Sequence, residues 1–381
     1  MESVSIIIGG DLVPTESNYS LFNMCDIKTL IGDEILNILD RSDYRIFNLE
    51  VPICDKEQPI HKCGPNLIAP TSTIAGIKAI NPTVLTLANN HIMDQGIQGY
   101  LSTVQVLKEN NIDYVGVGDS LKDAAKAFVL KHNSISIGIY ACAEHEFSIA
   151  NEHTKGANPF NPLDSLDHIQ KLKEECDYVI VLYHGGKEHY RYPSPYLQKI
   201  CKKIVEKGAD LVVCQHSHCI GCFEEYEGST IIYGQGNFLF DYSESEFWKT
   251  SLLLNVIIKD SLKVEYIPIV KIGNAVRISS DKQSAEILKE FIQRSSDIKK
   301  EGFIKDKYSD LAKSNRLNCL YSLSGFGRII RKIDRIIFRG LLINKVYCKR
   351  KRLAIQNYIQ CEAHRELLLN ALTIETDKKN T

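Results

Sequence analysis

Val84-Leu85-Thr86-Leu87-Ala88-Asn89-Asn90-His91-Ile92-Met93-Asp94-Gln95-Gly96 decides how the chain is read. It starts with the composition of a buried strand and then turns abruptly to an amide pair, an imidazole and a carboxylate. Four other stretches repeat this design. Residues 4–8 lead to Gly10-Asp11, 44–47 to Asn48-Leu49-Glu50, 178–182 to His184, and 211–213 to Gln215-His216-Ser217-His218. Open α/β sheets gather their ligands at the carboxyl ends of the strands. Five such ends, in the order Asp, Glu, Asn/His, His, His/His, point to a two-metal hydrolase site.

At 381 residues the chain exceeds one small core, so one large domain with an appendage is expected. The 46 Lys+Arg nearly balance the 47 Asp+Glu, so bulk charge singles out no polyanionic partner. An apolar fraction of 44% is ordinary for a globular protein and argues against a disordered chain. The start, Met1-Glu2-Ser3-Val4-Ser5-Ile6, lacks the basic and long apolar regions of a secretion signal, and no run of about 18 apolar residues occurs. A cytoplasmic protein with its 12 cysteines reduced is the expectation.

Helical patterns are predicted at 31–40, 99–110, 164–175 and 195–207, the last stopped by Gly208. Strands are predicted at 113–117, 231–233, 252–258 and 262–270, with a hairpin joining 129–131 to 134–141 and a loop at 156–163. This alternation implies an α/β core with some antiparallel strands. The pattern changes near residue 275, which divides the chain into a site-bearing domain, 1–275, and a helical extension, 276–381. A further helix is predicted at 357–372.

Within the extension, residues 328–352 hold ten Lys/Arg and a single acid, Asp334. Ile329, Ile330, Ile333, Ile336, Ile337, Phe338, Leu341 and Leu342 are interleaved with them. Such a segment suits an anionic membrane surface, an acidic partner or nucleic-acid phosphates. The plainer alternative is a helix whose apolar stripe packs on the domain while its charges stay in water.

Asp11 and Glu50 offer carboxylates, Asn90 a neutral amide oxygen, and His184, His216 and His218 imidazoles. Mixed nitrogen and oxygen ligation suits Mn²⁺, Zn²⁺ or Fe. Two such ions clamp a phosphoryl group between them. His91 is the candidate general acid, with Asp94 orienting its ring. Each residue alone has an ordinary reading. Asp11 suits a turn or helix cap, Glu50 an exposed loop, and His184 a hydrogen-bonded pocket. For His145 and Glu146 the surface-loop reading outweighs substrate contact, and the CxxC spacing of Cys219 and Cys222 is read as incidental.

Gly10-Asp11, Asn48-Leu49-Glu50, the 88–96 block, His184-Gly185-Gly186-Lys187-Glu188, His216-Ser217-His218 and Tyr233-Gly234-Gln235-Gly236-Asn237-Phe238 together resemble the CapA family. These are poly-γ-glutamate capsule-biosynthesis proteins with a calcineurin-like metallophosphoesterase fold, and the resemblance covers residues 4–241. It implies one metal held by Asp11, Glu50 and His218, and another by Glu50, Asn90, His184 and His216. His91 would be the catalytic histidine, Glu188 would line the pocket or support His184, and Asn237 would close the site. Leu12 and Val13 depart from the Asp-x-His of ordinary metallophosphoesterases, so the first metal lacks one histidine. Gly185 and Gln215 also depart from frequent family choices. Many members carry an N-terminal membrane anchor that this chain does not show.

The expected architecture is therefore a calcineurin-type, metallophosphatase-like α/β/β/α core with a helical C-terminal extension. The expected activity is metal-dependent phosphoester hydrolysis, with two divalent ions, on a phosphorylated or polyanionic intermediate of cell-surface polymer assembly. The basic segment is the candidate peripheral tether to the inner membrane face, and no nucleic-acid partner is expected. The alternative is a non-catalytic assembly factor that binds polymer or synthase at that face. A free-standing nucleotide phosphatase would need a base-stacking pocket that the sequence does not display.

Overall fold

The computed structural model describes residues 3–241 and 244–373. The chain divides between Lys305 and Asp306 into two compact units. The first is built on two sheets. One runs in the order Ala275–Ile278, Leu262–Ile272, Thr250–Ile258, Val4–Leu12, Tyr44–Leu49, Val84–Thr86, Asp113–Val115. The other runs Phe223–Tyr226, Ser229–Tyr233, Leu211–Gln215, Tyr178–His184, Ile135–Ala143, Phe128–His132. Parallel pairing joins Val4–Leu12 to Tyr44–Leu49 and Leu211–Gln215 to Tyr178–His184, so the strand ends named above emerge side by side.

The layering follows from alternation along each strand. Ile6 and Ile8 face Ile137, Ile180, Leu182 and Val213 in a core between the sheets. Ile7, Phe47 and Leu85 turn the other way and pack on Leu30, Ile35, Tyr100 and Leu107 of the helices covering the first sheet. Val179, Val181 and Val212 face Ile169, Leu172, Ile200 and Ile204 on the outside of the second. The result is a four-layer α/β/β/α stack, as expected.

Several details differ from the sequence expectation. The predicted strand 113–117 is cut at Gly116, whose φ of 87° is open chiefly to glycine; Asp113–Val115 stays in the large sheet while Val117–Gly118 pairs with Gly156–Ala157 from the predicted loop. Ala275–Ile278 and Phe223–Tyr226 are strands that the sequence did not signal. The helix Asp281–Asp297 packs on the first unit through Phe291, which joins the inter-sheet core, and Arg294, whose Nε donates to the Gly221 carbonyl at 2.7 Å. The second unit is helical. Its basic segment is broken into Arg328–Ile336, Leu341–Val346 and the start of Lys349–Gln360. Among the described residues no helix is long and apolar enough to cross a membrane.

After Tyr233 the chain leaves the second sheet and docks on the end of Val4–Leu12. Phe238 and Leu239 N–H both donate to the Asp11 carbonyl at 3.0 Å, and Val13 N–H donates to Leu239 O at 2.7 Å. Gly10 permits this approach, because a methyl group there would overlap the Gly236 carbonyl oxygen. Gly10→Ala is expected to destabilise the protein by about 1–3 kcal/mol, read from urea unfolding, because backbone on both sides must shift.

Candidate metal centre

Asp11 is the next-to-last residue of the first strand and Glu50 follows the second; both are buried. Asn90 and His91 follow the third. The turn is fixed by Asn89, whose Oδ1 accepts from His91 N–H (3.1 Å) and Ile92 N–H (2.9 Å). His184 ends its strand, and His216 and His218 follow Leu211–Gln215. These last two adopt φ of 79° and 53°, conformations seldom seen outside glycine. The structure thus collects residues from both sheets at one end of the stack.

Two overlapping sets of donor atoms result, Asp11/Glu50/His218 and Glu50/His184/His216, each set lying within 4.8 Å. In the second, His184 Nε2 stands 3.0 Å from Asn90 Oδ1, 3.1 Å from His216 Nδ1 and 3.2 Å from Glu50 Oε1. Asn48 Nδ2 lies 3.2 Å from His184 Nδ1, on the side of the ring away from these three neighbours. Separations of this size match the edges of a coordination polyhedron whose bonds are about 2.1 Å long.

Glu50 shows the same fit more sharply. Both its carboxylate oxygens are buried without a hydrogen-bond partner, and His184 lies nearby without forming one. Burial, then the adjacent Asp11 charge, push its carboxyl up to about 8. Burial, reinforced by the charges of His218 and His91, lowers His184 to about 4, and burial with His184 and His218 lowers His216 well below the usual range. Burial opposes protonation of His218 as well, but its hydrogen bond to Asp11 and the Glu50 charge lift it to about 9. Against burial, His218 and His184 hold Asp11 low. The neutral imidazoles of His184 and His216 beside a carboxyl without a hydrogen bond are donors that a divalent cation takes.

His91 Nδ1 lies 2.6 Å from Asp94 Oδ2, so its ring is oriented by that carboxylate. Asp94 is fully buried. It accepts from Leu67 N–H at 2.6 Å and pairs with the buried ammonium of Lys62, which also stands 3.2 Å from His91 Nδ1. Asn237 Oδ1 faces His218 Nδ1 at 2.8 Å. Glu188 is half-exposed, 3.9 Å from His216 Nε2.

Sequence reasoning did not assign several neighbours. Asn48 Nδ2 donates to Asp11 Oδ1 at 2.7 Å and lies 3.2 Å from His184 Nδ1, coupling the two sheets. Glu146, read as a loop residue, lies 3.8 Å from His216 Nε2 and accepts from Asn90 Nδ2 at 3.3 Å. Trp248 places its ring centroid 5.2 Å from that of His218 and donates from Nε1 to His189 at 2.9 Å. Asn48 could have been found from its place two residues before Glu50. Lys62, 32 residues before Asp94 in an irregular loop, carried no such signal.

A family model described as bacterial capsule synthesis protein PGA_cap matches residues 5–242. Capsule biosynthesis protein CapA of Bacillus anthracis is 32% identical over 237 residues, which is 60% of this chain and 55% of that protein. PGA biosynthesis protein CapA of Bacillus subtilis (strain 168) is 33% identical over 215 residues, 54% of this chain and 55% of that one. The chain spans about half the length of these curated relatives. A phosphatase from Mycoplasma pneumoniae has a solved structure that is 14% identical, covering 72% of this chain and 95% of that one, at a TM-score of 0.45.

The titration of Glu50 generates a stability test. Its folded value of about 8 lies above the ordinary 4.5. Across that window the folded chain holds a proton that the unfolded chain has released, so metal-free stability falls as pH rises. In chelator at pH 8, Glu50→Gln is expected to be more stable than wild type by about 1–3 kcal/mol. Added Mn²⁺ or Zn²⁺ should raise the wild-type melting temperature and leave the variant nearly unmoved.

Proposed function

The chain belongs to the PGA_cap family of bacterial capsule synthesis proteins, and on that premise we propose that it is a metal-dependent phosphoester hydrolase of cell-surface polymer assembly. Its substrate class would be a phosphorylated or polyanionic intermediate. The observation that carries this reading is Glu50, a buried carboxylate without a hydrogen bond, shared by two sets of metal-binding atoms.

Asp11, Glu50 and His218 would hold one divalent ion, and Glu50, Asn90, His184 and His216 the other. When bound, the ions would polarise a phosphoryl oxygen and acidify an attacking water. The protein's own groups do the rest. Asp11, Glu146 and Glu188 set carboxylates around the cation-free site that repel an anion, so substrate affinity depends on cation loading. Asn48 ties Asp11 to His184 and holds the two sheets' ligands in register. Asp94 occupies His91 Nδ1 and leaves Nε2 to give a proton to the departing oxygen. Lys62 neutralises Asp94 and fixes it against the ring. A polymer-binding assembly factor without catalysis is the competing reading, and it predicts inertness.

Metal content and hydrolysis of p-nitrophenyl phosphate and bis-p-nitrophenyl phosphate, measured on protein purified without chelators, separate the two. Wild type is expected to hold two metal equivalents and to be active. His216→Ala should lose metal and activity together. His91→Ala should keep its metal while its rate falls by about 10²–10⁴. Wild type that takes up neither Mn²⁺ nor Zn²⁺ and stays inert would favour the assembly factor.

A further inference from the structure

We propose that Arg328–Ile336 and the turn into Leu341–Val346 form a docking surface for an anionic lipid bilayer. The argument starts with Asp334, the single acid of the basic run. Its carboxylate is buried and accepts from the Tyr321 hydroxyl (2.8 Å), Leu342 N–H (3.0 Å) and Ile343 N–H (2.9 Å). It therefore fastens the first helix to the start of the second and contributes no charge to the surface. Ile343, Tyr347, Leu320 and Tyr321 form the small core behind it.

The opposite face is open. Ile329, Ile336, Ile337 and Leu341 are each two-thirds or more exposed, and Ile333 lies between them on the same stripe, following the i, i+4, i+7, i+8 pattern from 329. At about 100° per residue, Arg328, Arg331, Lys332 and Arg335 fall on the adjoining arc. Arg331 Nε is steadied by the Phe326 carbonyl, and Arg335 by Asn318 and the Tyr321 ring. Among the described residues, none of the ten cations from Arg328 to Arg352 pairs with a carboxylate.

An exposed apolar stripe beside a one-signed basic arc is the pattern of a helix lying in the headgroup region, where side chains enter the acyl boundary and cations meet lipid phosphates. Nucleic acid would use the arginines but would leave the isoleucines in water. A soluble acidic polymer such as polyglutamate would do the same. The bilayer is the occupant that satisfies both halves of the surface.

The test is flotation of the full chain with vesicles of phosphatidylcholine alone, or with one-third phosphatidylglycerol, at low and high salt. The chain is expected to float only with the anionic vesicles, and less at high salt. Arg328→Gln/Lys332→Gln/Arg339→Gln removes three cations that lie away from the buried core, and partitioning should fall by about a hundredfold. Ile329→Ser/Ile336→Ser/Ile337→Ser should abolish flotation with its circular dichroism unchanged; if that variant misfolds, the charge variant decides. Equal binding to neutral vesicles, no binding at low salt, or wild-type binding by the charge variant would overturn the proposal. So would retention of the chain by double-stranded DNA or soluble polyglutamate while the anionic vesicles float without it. None of these readouts depends on hydrolysis.

Discussion

A carboxylate that is fully buried and receives no hydrogen bond must either keep its proton or stand beside cations. Glu50 is in that position, and the architecture around it is intelligible as a way of maintaining it there. Water is kept out by Leu49, Val51 and the inter-sheet core, while three histidines and Asp11 arrive from the ends of other strands. A protein needing only stability would replace such a group with an apolar or amide side chain. Its presence is most simply explained by cation binding.

The two donor sets are unequal. The Glu50/His184/His216 side also has the Asn90 oxygen, with separations close to 3 Å. The Asp11 side has His218 but no further imidazole, since Leu12 and Val13 turn into the hydrophobic core. His218 is itself drawn toward Asp11 and Asn237, which favours its protonated form in the absence of metal. The Asp11 side would thus bind its cation more weakly and release a proton in doing so.

Much of this was legible in the sequence because it obeys local rules. A short β-branched run followed by a polar residue marks a buried strand and its exit, and five repeats leave little freedom in where their ends meet. The four-layer stack follows from alternation along Val4–Leu12 and Tyr178–His184. What escaped depends on distant geometry. Lys62 reaches Asp94 across an irregular loop, and Asn48 acts through its place between sheets. Glu146 enters the site only because the 144–149 segment folds back over Asn90. The break at Gly116 and the burial of Asp334 were equally hidden, since neither residue type announces its tertiary partner.

Anomalous X-ray scattering from crystals grown with Mn²⁺ would test the central claim most directly. The account expects two peaks astride the Glu50 carboxylate, about 3.5–4 Å apart, one toward Asp11 and His218 and the other toward His184 and His216. Density showing Glu50 hydrogen-bonded within the protein and far from any peak would contradict it.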